Sequence, residues 1–319
     1  MPRIAVIGAG QLGSRHLQAL CRSHLAFDVH VADPSPASLD IARQRLAEVN
    51  GGNVTATFTD RLPDGAHYDV VVVATSSGPR AAATRDLLTR CTVGAVIFEK
   101  ILFTRLEDYD AIGSLLAQKG VKAWVNCPRR MYPHTKPLSA LLSGPVSLTM
   151  QGGMWGMACN SIHFVDFVAH LCGTDTFTWD VSGLDPVLHE SPRHGYREFS
   201  GTLVVRGDDG SVVRLSAIAD SAACPVVHII GRDGSAVLDE INNIGTLYRR
   251  DEGWKPEAFS FRLPYQSELT HLAVESILAD GQCPLTPYDV SARLHRPMLR
   301  AFLDHCARCG LETDTCPVT

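Results

Sequence analysis

Through its first 126 residues the chain alternates short apolar runs with longer segments of mixed polarity. The runs predict strands near Ile4–Ile7, Val29–Ala32, Thr55–Phe58, Val70–Ala74, Ala95–Phe98 and Val121–Val125. The segments between them predict helices near Leu12–His24, Ala37–Val49, Pro79–Arg90 and Leu106–Lys119. A strand that is apolar throughout is covered on both faces, and strands separated by helices form βαβ units. The expected architecture is therefore α/β, with a doubly wound parallel sheet. Ligands of such sheets bind beyond the carboxyl ends of the strands.

After Pro128 the pattern changes. A short helix is predicted near His134–Leu142, then a glycine-rich stretch, Gln151-Gly152-Gly153-Met154-Trp155-Gly156, then a helix near Ser161–Leu171. Closely spaced strand-like runs follow at Gly201–Arg206, Ser211–Ile218, Val226–Ile230, Ala236–Leu238 and Thr246–Arg249. They are separated by turn signals such as Gly207-Asp208-Asp209-Gly210 and Asp233-Gly234. Short spacing of this kind predicts an antiparallel sheet in an α+β domain. Helical patterns return at Glu268–Asp280 and Tyr288–Cys306. Two domains are expected, residues 1–126 and 127–319, with the boundary drawn from pattern alone.

Composition narrows the function classes. A chain of 319 residues, 45% hydrophobic and 20% charged, has the make-up of a globular protein with a large core. A net charge of -5 gives no basic excess that would point to nucleic acid. No apolar run approaches the ~20 residues needed to span a membrane. The chain enters its first predicted strand without a signal-peptide layout, so a cytoplasmic location with reduced thiols is expected for its ten cysteines. Cys306-Ala307-Arg308-Cys309 is a lone C-x-x-C with Cys316 nearby, short of the four ligands of a structural zinc site.

Directly after the first strand stands Gly8-Ala9-Gly10-Gln11-Leu12-Gly13. The pattern G-x-G-x-x-G between a strand and a helix is a dinucleotide-binding fingerprint. Gly8 permits the tight turn, Gly10 lets backbone N–H groups approach a pyrophosphate, and Gly13 lets the helix pack closely. Gln11 and Leu12 complete the loop. The helix N-terminus adds partial positive charge for the phosphates. Asp33 lies twenty residues beyond Gly13, at the end of the second strand. There it accepts hydrogen bonds from ribose hydroxyls and repels a 2′-phosphate, which favours NAD and leaves NADP as the alternative. Thr75 and Ser76 end the fourth strand, and Glu99 and Lys100 end the fifth, all at the ligand-binding edge.

Gly8–Gly13, Ala74-Thr75, Glu99-Lys100, Asn126 through Arg130, and Asn160-Ser161-Ile162-His163-Phe164-Val165-Asp166 together resemble the Gfo/Idh/MocA family of NAD(P)-dependent oxidoreductases. The resemblance implies a Rossmann domain, a second domain on an open, mostly antiparallel sheet, and a sugar, sugar-nucleotide or cyclitol hydroxyl as substrate. It also implies a homodimer or homotetramer built through that sheet. The family's Glu-Lys-Pro motif matches Glu99 and Lys100, with Ile101 in the proline's place. Its His-x-x-Asp motif matches His163 and Asp166. Cys159 stands where many sugar dehydrogenases of the family carry an Asp, with Asn160 beside it. The segment from Trp155 to His163 is similar to a subgroup associated with surface-polysaccharide sugar biosynthesis.

Hydride transfer from a secondary alcohol requires loss of the hydroxyl proton. His163 is the leading acid/base, because imidazole titrates near neutral pH. Lys100 either hydrogen-bonds the reacting oxygen or acts as the base itself. Candidate substrate-binding residues are Arg129, Trp155, Asn160, Asp166 and Arg193, with Arg130 and Arg197 as further guanidinium groups for an anionic part of the substrate. Asp166 either orients His163 or caps local structure. Asp166 and His170 share a helix face with His163, which raises a metal site as an alternative. A non-catalytic, dinucleotide-dependent sensor or scaffold of the same fold is the competing function.

Overall fold

The structure, a computed structural model, describes residues 1–49, 51–142 and 144–319. The chain forms two compact units: Met1–Pro128 with Pro264–Ser291, and Arg129–Leu263 with Ala292–Thr319. The chain begins with β1 (Arg3–Ile7), α1 (Gly13–Leu20), β2 (Phe27–Ala32), α2 (Pro36–Ala47), β3 (Val54–Thr59) and β4 (His67–Val73). It continues through α3 (Ser77–Arg90), β5 (Thr92–Phe98), α4 (Leu106–Lys119) and β6 (Lys122–Val125). The next elements are α5 (Thr135–Leu141), β7 (Ser147–Gly152), α6 (Met157–Cys172), β8 (Phe177–Glu190), β9 (Arg197–Gly207) and β10 (Val212–Ala217). Then come β11 (Val226–Ile230), β12 (Gly234–Asp239), β13 (Ile244–Arg249) and β14 (Pro256–Ser260). A 3-10 turn (Gln266–Glu268), α7 (Thr270–Asp280) and β15 (Thr286–Pro287) return to the first unit, and α8 (Tyr288–Arg308) follows.

The first unit is built on a seven-stranded sheet in the order β15-β6-β5-β4-β1-β2-β3. All its pairings are parallel except β15 with β6. Val70 to Val73 of β4 and Ile4 to Val6 of β1 are fully buried, as strands covered on both faces must be. The parallel arrangement brings the carboxyl ends of β1, β2, β4 and β5 to one edge. Local signals set the helices: α2 starts on Pro36 with Ser38 N–H donating to Ser35 Oγ, and α4 stops at Gly120 with φ +67.

An eight-stranded sheet in the order β14-β13-β12-β11-β7-β10-β9-β8 forms the second unit. It is antiparallel throughout except where β7 pairs with β10. Its strands alternate: in β11, Val227 and Ile229 point inward, while Val226, His228 and Ile230 are exposed. Helix α6 packs on β9 and β10. Phe302 of α8 meets Phe199 of β9 edge-on at 5.0 Å and Trp179 of β8 at 5.8 Å.

Several elements differ from the sequence pattern, which predicted no strand at β7, β14 or β15. Residues 264–291, expected in the second domain, belong to the first unit. Helix α6 starts a turn before Ser161, because Gly156 adopts φ +77 at its N-cap. The long strand β8 carries few apolar residues in a row and shifts register between Asp180 and Gly183 and between Leu184 and Leu188. Those bulges depend on Gly201 (φ +94), where a Cβ would lie 2.6 Å from the Asp185 nitrogen.

His134, at the start of α5, is buried, and its ring lies 4.7 Å from that of Phe261. Burial pushes its imidazole down to about 4, with Glu240 pulling the other way and Arg129 adding to the depression. The unfolded chain then takes up the proton near pH ~6.5 and the folded one only near pH ~4, so this residue costs stability as pH falls through that window. Replacing it by Phe should make the loss of unfolding free energy between about pH 7 and 4 smaller by about 3 kcal/mol. Urea denaturation of both proteins across that range measures the difference, and equal losses would contradict the assignment.

Candidate active site

The glycine loop follows β1 directly, and at Gly8 and Gly13 it has no room for a side chain. A Cβ on Gly8 (φ +91) would lie 2.7 Å from Thr75 N, and one on Gly13 would lie 1.7 Å from Gly8 O. A Cβ on Gly10 would meet nothing within 4 Å, so the space beside it is open. Asp33 holds the loop from β2: Oδ2 accepts Ala9 N–H at 2.7 Å, and Oδ1 accepts Ser35 N–H at 2.8 Å. Each carboxylate oxygen has a second lone pair for a hydroxyl donor. Leu12 is the N-cap of α1, its carbonyl accepting from Arg15 and His16 N–H. Arg45 of α2, which the sequence pattern did not single out, donates to Gln11 O at 2.5 Å, to Ser14 Oγ at 2.6 Å and to Gln11 Oε1. An open glycine cradle, a helix N-terminus and a half-exposed carboxylate at the end of β2 fit a dinucleotide of the NAD type. Gly8, Gly10, Gln11, Leu12, Gly13 and Asp33 would hold its adenosine and pyrophosphate.

At the same sheet edge, Ser76 is the N-cap of α3, and Thr75 O accepts from Arg80. Thr75 Oγ1 is buried with no hydrogen-bond partner among the described residues. Glu99 is buried, accepting from His16 Nε2 at 2.9 Å and from Asn126 Nδ2 at 2.5 Å. Burial raises its pKa, but the His16 and Asn126 hydrogen bonds and the nearby Arg80 charge outweigh it, so the carboxyl is held below its usual range. Lys100 is half-buried, and the Lys100–Ile101 peptide is cis. Ile101 is buried, and the fully buried Arg80 donates to Ile101 O and, at 3.1 Å, to Leu102 O. The backbone after Lys100 is thus fastened by the Arg80 guanidinium.

In the second unit, α6 carries the remaining candidates. His163 is half-buried on its second turn. Asp166, one turn on, is fully buried and takes a bidentate bond from Arg130, Nε and Nη2 each at 2.8 Å. Each oxygen of Asp166 thus accepts one bond from Arg130, which holds that guanidinium in place. His170 is exposed, and no group of three potential metal ligands occurs among the described residues. Asn160 Nδ2 donates to Trp155 O at 3.3 Å, and Cys159 Sγ lies 3.7 Å from Asn160 Oδ1. Trp155 Nε1–H donates to Ser216 O at 3.0 Å. Glu198 of β9 was not foreseen: its buried carboxylate accepts Ala158 N–H at 2.9 Å and Cys159 N–H at 3.3 Å, capping α6.

The arginines separate. Arg129 is committed to Glu240 through Nη1 at 2.5 Å and Nη2 at 2.8 Å, with its guanidinium 4.1 Å from the Phe164 ring centre. Arg197 pairs with Glu190. Arg193 is exposed in the loop before β9. Among the cysteines, Cys306 is buried and its thiol is pushed up to about 11, chiefly by burial, while Cys309 Sγ lies 3.6 Å from His305 Nε2.

Residues 2–127 match the Gfo/Idh/MocA family model, described as an oxidoreductase family with an NAD-binding Rossmann fold. The first unit is thus an NAD-binding Rossmann unit of this oxidoreductase family. No curated protein sequence matches the chain. Among solved structures, the chain is similar to UDP-N-acetylglucosamine 3-dehydrogenase GnnA from Acidithiobacillus ferrooxidans (17% identity, 94% of this chain and 96% of that one, TM-score 0.66). It is also similar to an oxidoreductase from Agrobacterium radiobacter in complex with NAD+, L-tartaric acid and magnesium (12%, 93% and 94%, TM-score 0.69). A third similar structure is a super-repressor mutant of Gal80p from Saccharomyces cerevisiae (14%, 96% and 96%, TM-score 0.68). At these identities the likeness is one of fold, shared over both units.

Arg80→Leu leaves the carbonyls of Thr75, Ile101 and Leu102 without their buried donor. We expect a loss of about 3 kcal/mol in unfolding free energy, read by urea denaturation. A loss below about 1 kcal/mol would show that the guanidinium is not what fastens this segment.

Proposed function

We propose that the chain is an NAD-dependent oxidoreductase that moves a hydride to or from a secondary hydroxyl or keto group of a sugar, sugar nucleotide or related polyol. The observation that carries this reading is the shared edge of one parallel sheet: an open glycine cradle at the end of β1 and Glu99-Lys100 at the end of β5. Bound NAD supplies the hydride acceptor or donor. Lys100 hydrogen-bonds the reacting oxygen and stabilises its alkoxide character. His163 handles the hydroxyl proton. Arg193, exposed and on a loop, takes an anionic part of the substrate, and Trp155 and Asn160 line the sugar. Arg129 and Asp166 support the site through their internal pairs with Glu240 and Arg130.

A sugar-derived substrate is supported by the likeness to a sugar-nucleotide dehydrogenase. The exposed side of the second unit's sheet, with Val226, Ile230 and Ile244, supports a homodimer or homotetramer. We place the protein in the cytoplasm, with a small molecule rather than nucleic acid or membrane as its partner. The likeness to Gal80p, a transcriptional regulator in the Kluyveromyces lactis relative, favours one second reading, a non-catalytic NAD-dependent sensor.

A panel of sugars and sugar nucleotides, followed by NADH absorbance, separates the two. We expect one of them to reduce NAD+, with Lys100→Met and His163→Ala each lowering turnover at least about 100-fold while NAD+ affinity stays within about threefold. NAD+ that binds but stays oxidised with every compound would favour the sensor. Full turnover in both variants would refute the two roles.

A further inference from the structure

Five buried or half-buried side chains of the first unit close a ring of hydrogen bonds behind Lys100. His16 of α1 meets Glu99 Oε1 through Nε2 at 2.9 Å and Thr270 Oγ1 through Nδ1 at 2.8 Å. Gln266 Nε2 donates to Thr270 Oγ1 at 2.9 Å, and Asn126 Nδ2 donates both to Gln266 Oε1 at 2.8 Å and to Glu99 Oε1 at 2.5 Å. His16, Glu99, Asn126 and Thr270 are all buried.

Glu99 fixes the polarity of its own bonds in the ring. An ionised carboxylate only accepts, so His16 Nε2 carries a proton and donates to Glu99. Thr270 Oγ1 accepts from Gln266 and stands 2.8 Å from His16 Nδ1, and Gln266 Nε2 lies 3.3 Å from that same nitrogen. Both bonds to Glu99 fall on Oε1 among the described residues.

Position gives the ring a use. His16 lies on the first turn of α1, the helix that the glycine loop opens, and Glu99 directly precedes Lys100. We propose that His16 is a positioning residue for NAD, fixing the pyrophosphate-binding helix and the Glu99-Lys100 segment in one register so that both ends of the dinucleotide are met at once. Thr270 and Gln266 belong to the returning segment, so the ring is one of the ties between residues 264–291 and the NAD-binding unit. The inference rests on the NAD-binding reading of this unit and needs no assumption about the substrate.

The test is the dissociation constant of NAD+, measured by titration calorimetry without any substrate. His16→Leu breaks the ring at both nitrogens and should weaken NAD+ binding about tenfold or more. His16→Gln keeps a donor for Glu99 and should stay within about threefold of wild type. Unchanged affinity in His16→Leu would overturn the proposal. So would His16→Gln as weak as His16→Leu, which marks a packing role. Should His16→Leu fail to fold, the near-isosteric Thr270→Val removes the hydroxyl that meets Nδ1. It should weaken NAD+ binding about threefold, and unchanged affinity there overturns the proposal equally. A wild-type chain that binds no NAD+ would overturn the functional reading, and this inference with it. A wild type that binds NAD+ beside an indifferent His16→Leu would overturn this inference alone.

Discussion

Taking a carboxylate out of water costs several kcal/mol unless charge and hydrogen bonds make good the loss. Glu99 is such a group, buried at the carboxyl end of β5. It stays ionised because His16 and Asn126 donate to it and Arg80 lies close. That requirement draws together α1, the ends of β5 and β6, the 3-10 turn before α7 and α7 itself. The helix that opens after the glycine loop and the segment that carries Lys100 are consequently fastened to one another. The cofactor-binding unit is organised around a charge that only its own surroundings make tolerable.

The second unit solves a similar problem twice. Asp166 is buried against the fork of Arg130, and Glu198 sits under the N-terminus of α6. Both carboxylates act on α6, one from its face and one from its end. The helix that presents His163 is thereby fixed in rotation and in its starting point. Cys159 and Asn160, on its first turn, are placed by the same cap. A second ion pair, Arg129 with Glu240, ties the start of this unit to the end of β12.

The pattern of apolar runs and glycines made most of the first unit legible. Continuous valines could only be a strand covered on both faces, and Gly8 and Gly13 each have a steric reason visible in the fold, while Gly10 faces open space. Asp33 falls at the end of β2, as its spacing from Gly13 implied, because helix α1, one connection and β2 fill the twenty residues between them. The returning segment 264–291 was not legible, since its polar contacts, the packing of α7 and the pairing of β15 with β6 all reach residues far away in sequence. His16, Arg45, Arg80 and Glu198 were missed for the same reason: each is an ordinary polar residue on a helix or strand until its distant partner is known. Arg129 and Asp166 show the converse. Their residue types suggested an open binding role, and internal partners of opposite charge took them up. Strand β8 escaped because bulges break the alternation that a flat strand would show.

We propose that the glycine cradle and Asp33 together select NAD over NADP. Calorimetric titration of the wild-type protein with NAD+ and with NADP+ tests it most directly. NAD+ should bind with a micromolar dissociation constant and NADP+ at least about tenfold more weakly, because a 2′-phosphate would meet the Asp33 carboxylate. Binding of neither nucleotide, or tighter binding of NADP+, would contradict it.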